Sequence, residues 1–214
     1  MDRKEIDDIL FVLDNPLRRK ILELLLREDH YPLQLARVLK VSQQSILKHL
    51  KLLEEYGFVT VRKVKSDLGG PERNLYSANK HFSVTIDMGY CSLETHIHPI
   101  VEDAKTGVFE EFKKDVDALQ DVRNVKELQE RTAELISRIN SELENLEQRR
   151  RELILLKDKV LRDAITCIAA DGDYLERCVL FHMLMNAGAT FSEVSETLDL
   201  REEIVRSILR KYFG

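Results

Sequence analysis

The chain has 214 residues, 43% of them hydrophobic and 33% charged, with a formal net charge of −5. This composition is apolar enough for a packed core and excludes a disordered chain, and the lack of an apolar run of about 18 residues excludes a membrane span. Only eight Gly and four Pro are present, about half the usual share, which predicts a mainly helical protein.

The charge is distributed unevenly along the chain. Residues 1–80 contain 15 Lys or Arg and 12 Asp or Glu, whereas the remaining residues contain 18 and 26. A basic segment on an acidic chain favours a local binding surface for a polyanion such as DNA. A solvated surface would give the same counts, so charge alone leaves both interpretations open.

The first 26 residues predict two helices. Asn15 is a good N-cap and Pro16 suits the first position of a helix, so the second helix begins here. In this second helix we expect an inward face of Ile21, Leu22, Leu25 and Leu26. In the preceding helix, apolar residues at helical spacing form a stripe that we assign to a dimer interface: Ile6, Ile9, Leu10 and Leu13.

Residues 32–56 predict a helix-turn-helix. A short helix beginning at Pro32 is followed by a tight turn at residues 40–42, and then by a longer helix that Ser42 caps and Gly57 ends. Within the longer helix, three residues recur at the spacing of one helix face and must pack inward: Ile46, Leu50 and Leu53.

The opposite face of this longer helix has the side chains expected of a DNA-reading helix. Its amides can pair with adenine edges, its lysines can reach guanine or phosphate, and its one leucine can touch a thymine methyl group. Ordinary solvation, or partial burial of the leucine, is the alternative. The residues that we assign to DNA contact are Ser42, Gln43, Gln44, Ser45, Leu47, Lys48 and Lys51.

A basic hairpin is predicted after this helix. The period-2 pattern of residues 58–65 indicates a strand, residues 66–71 form a loop tip, and residues 74–77 return as a second strand. Cations on such a hairpin can reach the DNA backbone or minor groove, and cations near a helix N-terminus also favour phosphate. We assign DNA contacts to Arg62, Lys63, Lys65 and Arg73 on the hairpin, and to Arg18 and Arg19.

The rest of the chain divides into a linker, a long helix and a second helical unit. Residues 81–107 read as a linker with one strand at 82–86. The 64 residues between Gly107 and Gly172 contain neither Gly nor Pro, which predicts a long amphipathic helix over 108–170, bent near its start and partly a coiled coil. Its apolar stripe is too extensive for a monomer, so we assign dimerisation to Leu128, Leu135, Ile139 and Leu146.

Residues 171–214 predict helices at 174–186, 191–198 and 202–213. With an offset of 159, the apolar positions of the first helix-turn-helix fall on apolar positions here; Ile46, for example, falls on Val205. The surface does not repeat, because the second recognition-helix equivalent begins with Arg201, Glu202 and Glu203. We interpret this unit as a dimerisation or partner surface.

The cysteines argue against a disulfide framework. Cys91, Cys167 and Cys178 are odd in number and widely spaced, which together with the lack of a charged-then-apolar leader predicts a reducing, cytoplasmic location. Cys91 could bind a metal with His96 and His98, but a fourth ligand is not apparent. We therefore expect no metal and no cofactor, and we expect Cys167 and Cys178 to be small core residues.

Residues 15–25 and 39–58, with the Gly-Gly-Pro hairpin tip, resemble the ArsR family of winged helix-turn-helix transcription regulators. The layout of the whole chain is similar to that of archaeal members typified by the sulfur-response and heat-shock regulators. This resemblance implies a homodimer on a palindromic promoter site, with Ser42 to Lys48 in the major groove.

Two features of these regulators are missing from this sequence. The helix at 32–39 lacks the Cys-x-Cys of metal sensors, and residues 27–30 stand where the sulfur-response regulator has a Cys-x-x-Cys redox switch. Neither thiol-metal nor dithiol sensing is therefore expected in the DNA-binding domain, and the effector stays unidentified.

The sequence thus predicts a mainly α protein with a small β wing. Its parts are a winged helix-turn-helix DNA-binding domain (1–80), a linker (81–107), a long dimerisation helix (108–170) and a helix-turn-helix-like domain (171–214). No phosphate-binding loop, dinucleotide glycine pattern or nucleophile elbow is present, so we expect no enzyme. The function predicted is a DNA-binding transcription regulator of double-stranded promoter DNA; the alternative is a winged-helix interaction scaffold that does not read DNA.

Overall fold

The structure, a computed structural model, describes residues 3–65, 72–90, 92–101, 107–169 and 172–213. The chain forms two compact units. Unit 1 comprises Met1–Thr85 and Thr95–Asp103, and unit 2 comprises Ile86–Glu94 and Ala104–Gly214. As the composition predicts, the described residues are mostly helical, with small two-stranded sheets.

Unit 1 begins with two helices, α1 (Arg3–Asp14) and α2 (Pro16–Leu25). The break between them lies where the sequence predicts it. The Asn15 side chain accepts hydrogen bonds from the first backbone N–H groups of α2, and Pro16 occupies the first helical position. A good capping residue and a fixed proline φ therefore set this boundary locally.

The buried faces of α1 and α2 differ in part from the prediction. Ile21 and Leu25 lie in the core as expected, and so does Val12, which the predicted stripe omits. The expectation for Leu26 is wrong: Leu26 is 57% exposed, because one residue after Leu25 its side chain points about 100° away from the face that Ile21 and Leu25 bury.

A helix-turn-helix follows, formed by α3 (Pro32–Leu39) and α4 (Gln43–Glu55). Lys40 in the turn has the left-handed conformation, with φ 55°. Ser42 caps α4, and the chain leaves the helix at Gly57, whose φ of 70° suits a residue without a β-carbon. These bounds confirm the predicted helix-turn-helix.

The core of unit 1 lies between these four helices and a β-hairpin. The three residues of α4 predicted to face inward have no exposed surface, and they pack with apolar residues from each of the other helices. The fully buried members of this core include Ile9, Val12, Ile21, Leu35, Ile46, Leu50, Leu53 and Val59.

The predicted wing is an antiparallel hairpin of β1 (Val59–Val64) and β2 (Arg73–Ala78). His30 adds a bridge on the other side of β2, since the backbone N–H of His30 and that of Tyr76 each donate to the other residue's carbonyl oxygen at 3.0 Å. The bridge holds β2 against the start of α3. The predicted loop tip, residues 66–71, lies outside the described residues.

The stretch predicted as a linker is instead a second hairpin, formed by β3 (Phe82–Met88) and β4 (Leu93–Pro99). The sequence predicts one strand here and the structure has two. The second strand is missed because the polar Thr and His residues of β4 hide the alternation of apolar and polar residues that is typical of a strand. Phe82, Val84 and Ile97 pack on the core of unit 1, and Ile86–Glu94 belongs to unit 2.

In unit 2, the predicted single bent helix is two helices, α5 (Gly107–Leu119) and α6 (Val125–Ala169). The break needs neither Gly nor Pro. Asn124 caps α6, its side-chain oxygen accepting from the backbone N–H of Lys126 at 2.9 Å and of Glu127 at 3.2 Å. The prediction of a bend was wrong because this cap allows the chain to reverse.

Helix α5 folds back along the start of α6. The Arg138 guanidinium pairs with the Asp115 carboxylate at 2.7 Å and lies 5.4 Å from the centroid of the Phe112 ring. Leu135 of α6 is buried. The chain therefore covers α6 around Leu135 and Arg138 with its own residues.

The assigned dimer residues divide into three groups by exposure. Ile6, Ile9 and Leu135 are buried in the single chain, so they have no side-chain surface to offer a partner, and Leu13 and Ile139 are half-buried. Leu10, Leu128 and Leu146 are exposed. Further along α6, other apolar side chains are also exposed, namely Ile136, Leu143, Leu153, Leu156 and Val160.

The tip of the β3–β4 hairpin is fixed to the middle of α6. The fully buried Asp158 carboxylate accepts a hydrogen bond from the Tyr90 backbone N–H at 2.7 Å. A β-carbon on Gly89 would lie 2.2 Å from Asp158 Oδ2, so only glycine allows this approach. Two ion pairs flank the contact, Arg150 with Asp87 and Lys157 with Glu94.

Unit 2 ends with α7 (Tyr174–Met185), α8 (Phe191–Leu198) and α9 (Glu202–Phe213). The turn residue Asp199 is left-handed, with φ 51°. These bounds confirm the predicted helix-turn-helix-like unit, which has its own core of Val179, Leu180, Val194, Val205, Ile208 and Leu209. None of the helices described has the length and hydrophobicity needed to span a bilayer.

Candidate nucleic-acid interface

The candidate site begins at the N-terminus of α4. The Ser42 hydroxyl accepts a hydrogen bond from the Ser45 backbone N–H at 3.2 Å, so Ser42 is a cap and Ser45 is half-buried behind it. Gln43, Gln44 and Lys48 are exposed, as predicted from the inward spacing of the core residues. The cap leaves these side chains at the start of the helix, where its unpaired N–H groups favour anions.

A cleft of about 690 Å³ lies between α4 and strand β2. Gln43 and Leu47 line it from α4, and Arg73 and Asn74 line it from β2. Leu47 is 42% exposed, so it is neither a core residue nor a fully solvated one. The structure thus brings the start of the predicted reading helix and one predicted wing cation to the same opening.

The floor of the cleft comes from α3, which the sequence assignment missed. Tyr31, Leu33, Gln34 and Arg37 line the opening. Gln34 has a structural task, since its side chain accepts from the Tyr31 backbone N–H at 2.7 Å. Arg37 is an exposed cation in the last turn of α3. Arg37 lies five residues before Ser42, the predicted cap of α4. This position in the sequence could have indicated that Arg37 lies near the start of the reading helix.

The cations of the wing are not equivalent. Lys63, Lys65 and Arg73 are exposed. Arg62 is also exposed, but its guanidinium pairs with the Asp29 carboxylate at 2.7 Å. An exposed ion pair of this kind contributes at most about 1 kcal/mol and can exchange for a phosphate. Lys51 of α4 is exposed as well, so the basic surface continues along the helix.

The assignment of Arg18 to DNA is wrong. Arg18 is only 8% exposed, and its guanidinium donates to the carbonyl oxygens of Val12 at 2.6 Å and Phe11 at 2.5 Å. These oxygens lie in the last turn of α1, where carbonyls have no partner within the helix. Arg18 therefore satisfies the end of α1 and also lies over the Phe11 ring, 5.3 Å from its centroid.

Arg19 also binds carbonyl oxygens at the end of α1. Its guanidinium donates to the carbonyl oxygens of Leu13 at 2.5 Å and Asp14 at 3.0 Å. It is more exposed than Arg18, but the same helix end engages it. Both arginines follow Pro16, whose missing N–H makes the break that exposes these carbonyls.

Residues 13–62 match a protein-family model described as a helix-turn-helix domain. The matched residues run from the end of α1 to the middle of β1, and β2 completes the hairpin beside them. Unit 1 contains a winged helix-turn-helix domain.

The chain is also similar to solved structures. One is HlyU from Vibrio cholerae N16961, with 25% identity over 37% of this chain and 82% of that chain, and a TM-score of 0.32. Another is Bacillus subtilis PadR in complex with operator DNA, with 15% identity over 91% of this chain and 96% of that chain, and a TM-score of 0.26. No curated protein matches the chain.

Within the winged helix-turn-helix domain, His49 is the titratable group of α4 with a shifted pKa. Partial burial is the main cause that lowers the pKa of His49 below 6.5, and the positive charges of Arg18 and Lys48 lower it further. These effects favour the neutral form of the imidazole. A neutral ring can donate one hydrogen bond but brings no charge to the surface.

The possible metal ligands do not form a described site. His96 and His98 stack on β4 with their ring centroids 5.9 Å apart, while Cys91 lies outside the described residues. No group of three His, Cys, Asp or Glu side chains in the described ranges is placed to hold a metal ion. Of the predicted core cysteines, Cys178 is half-buried but Cys167 is exposed, so that prediction was wrong for Cys167.

Proposed function

We propose that this chain is a sequence-specific transcription regulator that acts in the cytoplasm as a homodimer on promoter DNA. The observation that carries the proposal is the cleft between α4 and β2, where the exposed Gln43 amide at the start of α4 and the exposed Arg73 of the wing line one opening, together with Glu72. The resemblance of residues 15–25 and 39–58 to ArsR regulators, with the archaeal layout of the whole chain, supports it. No catalytic role is part of the proposal.

The start of α4 supplies the groups that would read bases. The Gln43 and Gln44 amides can form two hydrogen bonds with an adenine edge, and Lys48 can reach guanine or a phosphate. Leu47, half-exposed in the cleft, can contact a thymine methyl group. Side chains at the N-terminal end of such a helix are the ones that reach base edges in the major groove.

The remaining exposed cations would hold the DNA backbone. Lys51 continues the α4 face, Lys63 and Lys65 lie on or next to β1, and Arg73 begins β2. We add Arg37 to this group because it lines the cleft. Such contacts fix position and orientation but do not select sequence.

The dimer would form through the part of α6 that the chain leaves open. Leu146 and Leu153 are 58% and 60% exposed, and Ile136, Leu143, Leu146 and Leu153 follow one another at spacings of seven, three and seven residues. This spacing is that of a coiled-coil seam, although the frame differs from the one predicted around Leu135. A two-fold dimer is the usual way to bury such a seam.

In vitro selection of duplexes on the full chain, followed by fluorescence anisotropy, tests the proposed function. We expect selected duplexes to share a two-fold symmetric motif and to bind at least about 10³-fold more tightly than scrambled duplexes. Enrichment of no motif, together with weak binding that is equal on all duplexes, would contradict sequence-specific reading and favour the scaffold.

Light scattering tests the dimer separately. At micromolar concentration we expect about twice the chain mass of 24.9 kDa. Leu146→Glu should shift the mass toward the monomer, whereas Leu155→Glu, on another face of α6, should leave it unchanged. A monomer for the parent chain would rule out dimerisation through this seam.

A further inference from the structure

The cleft between α4 and β2 contains an acidic side chain. Glu72 lines it, immediately before β2, together with the cations Arg37 and Arg73. Among the described residues that line this opening, no other carries a carboxylate. A carboxylate at a surface proposed to bind DNA repels the phosphate backbone. Glu72 therefore weakens backbone binding unless it makes a contact of its own with the DNA.

The Glu72 carboxylate makes no contact of this kind within the parts of the chain that the structure describes. There it forms no hydrogen bond or ion pair with Arg37 or Arg73, although both line the same cleft. By contrast, the Asp29 carboxylate pairs with Arg62 of β1 at 2.7 Å. Glu72 is exposed, so a bound molecule can reach its carboxylate.

The wing fixes the place of Glu72 in the cleft. Arg73, the next residue, is in register with Val64 at the end of the β1–β2 ladder. Further along β2, Tyr76 exchanges backbone hydrogen bonds with His30, at 3.0 Å in each direction. These contacts hold β2 against the start of α3. The backbone that carries Glu72 is therefore held at the wing side of the cleft.

The other side of the cleft belongs to the helix proposed to read bases. Gln43 and Leu47 line it from α4, and because they are four residues apart they share one face of the helix. In the proposed complex, Gln43 pairs with an adenine edge and Leu47 contacts a thymine methyl group, both in the major groove. DNA that enters the cleft to reach these two residues also brings a base edge to Glu72.

A carboxylate and an amide recognise different bases. An ionised carboxylate only accepts hydrogen bonds, whereas an amide both donates and accepts. In the major groove, guanine and thymine present acceptors, and adenine presents its N6 amino group beside the N7 acceptor. Cytosine presents only the donor, its N4 amino group. A carboxylate in the major groove therefore favours cytosine, and an amide favours adenine.

We propose that Glu72 is a specificity-determining residue that accepts a hydrogen bond from the N4 amino group of a cytosine, next to the bases read by α4. This inference rests on the proposed function and adds a G·C pair to each half-site that the dimer recognises. The same carboxylate repels the backbone of a duplex that lacks this cytosine. It therefore increases the difference in affinity between the correct and the wrong duplex.

In vitro selection of duplexes on the full chain, for the parent and for Glu72→Gln, tests the inference. We expect the parent's motif to contain a G·C pair in each half-site that the variant replaces by A·T, because the new amide pairs with adenine. In anisotropy titrations, changing this pair to A·T in one half-site should weaken parent binding about tenfold and strengthen binding of the variant. Since Glu72 is exposed, the substitution should leave the fold intact.

Two controls separate the base contact from the charge. Glu55→Gln removes an exposed carboxylate at the end of α4 that does not line the cleft, and this variant should select the parent's motif. An inosine·cytosine pair in place of the G·C pair lacks the guanine amino group and keeps that of cytosine. The parent's affinity for this duplex should stay within about twofold of its affinity for the G·C duplex.

Two results would overturn the inference and leave the proposed function in place. One is a Glu72→Gln motif identical to the parent's, with every duplex bound more tightly by the same factor, because Glu72 would then only repel the backbone. The other is a large loss of parent affinity on the inosine·cytosine pair, because the donor would then be the guanine amino group in the minor groove. A parent that selects no motif would contradict the proposed function as well.

Discussion

The two helix-turn-helix units share a backbone and differ in their surfaces. Helices α3 and α8 both have eight residues, and each is followed by a left-handed residue, Lys40 or Asp199. Val41 in the first turn and Leu200 in the second donate their backbone N–H to the carbonyl five residues earlier, at 3.1 and 2.9 Å. The local geometry is the same although few residues are identical.

The exposed positions of the two units differ in charge. With the offset of 159, Gln43 and Gln44 become Glu202 and Glu203, and Lys48 becomes Ser207. Acidic groups at the start of α9 would repel a phosphate backbone, whereas amides and lysine at the start of α4 fit a DNA groove. Buried positions and the turn therefore set the fold, and the exposed positions decide what each unit can bind.

The largest expected effect is that of salt on DNA affinity. With roughly 6–10 phosphate contacts in a dimer, affinity for duplex DNA should fall about 10³–10⁵-fold between 50 and 200 mM salt. Replacing Lys63, Lys65 and Arg73 by Gln should flatten the slope. Replacing the cations of α9 (Arg206, Arg210 and Lys211) by Gln should leave the salt slope unchanged. Anisotropy titrations in which the α9 variant flattens the slope and the wing variant does not would contradict the assignment of DNA binding to the wing.

The core positions should have equal roles in both units. Ile46→Ala should destabilise unit 1 by about 2–5 kcal/mol, because it removes a fully buried side chain and leaves a cavity. Val205→Ala is the matched change in unit 2, with a smaller loss. Hydrogen exchange should show faster exchange in α4 for the first variant and in α9 for the second. If either variant made amide exchange faster in both units, the two units would not have separate cores.

Base reading should distinguish the exposed starts of α4 and α9. Gln44→Ala should cost about 1–3 kcal/mol per half-site on a selected duplex and little on scrambled DNA, because it removes a base contact and no phosphate contact. Glu203→Ala, at the matched position of α9, should change neither affinity. Anisotropy titrations in constant salt measure both, and an unchanged affinity for Gln44→Ala would show that another face reads the bases.

Arg73 on the wing should behave differently from Gln44. Arg73→Ala should weaken binding to selected and scrambled duplexes by similar factors and lower the salt slope by about one per half-site. Arg18→Ala is the control that the structure provides, since Arg18 holds the end of α1. Arg18→Ala should lower thermal stability and leave the salt slope of DNA affinity unchanged. A change in the salt slope as large as that of Arg73→Ala would show that Arg18 contacts DNA.

The smallest effect concerns pH. Because the pKa of His49 is lowered below 6.5 in the folded chain, the unfolded chain binds more protons just below that pH, and stability should decrease as pH falls from about 7 through this range. Denaturant unfolding of His49→Gln should show a weaker decrease than the parent. His81→Gln, an exposed histidine of unit 1, is the control and should keep the parent's decrease.

Much of unit 1 and of the C-terminal helices could be predicted because short-range signals determine them. Asn15 with Pro16, Ser42 and Gly57 each fix a helix end through their own conformational preference. The inward spacing of Ile46, Leu50 and Leu53 then determines which side chains of α4 are exposed. The face proposed to read DNA follows from these local signals.

The features that the sequence did not predict depend on contacts between different elements of the structure. The carbonyl partners of Arg18 exist only because α1 ends beside α2, and nothing in a basic run of sequence distinguishes a cation that caps a helix from one that is free. The reversal at Asn124 and the second strand of the β3–β4 hairpin are of the same kind. Each needs packing on another element, such as Asp115 with Arg138, and at the reversal the Asn124 cap acts together with that packing.

We expect α4 and the wing to bind DNA and α9 not to bind it. Hydrogen exchange of the full chain with and without a selected duplex tests this expectation most directly. We predict slower exchange in residues 43–55, 59–64 and 73–78 when DNA is bound, with residues 202–213 unchanged. Protection confined to residues 202–213, or none in α4 at saturating duplex, would contradict this expectation.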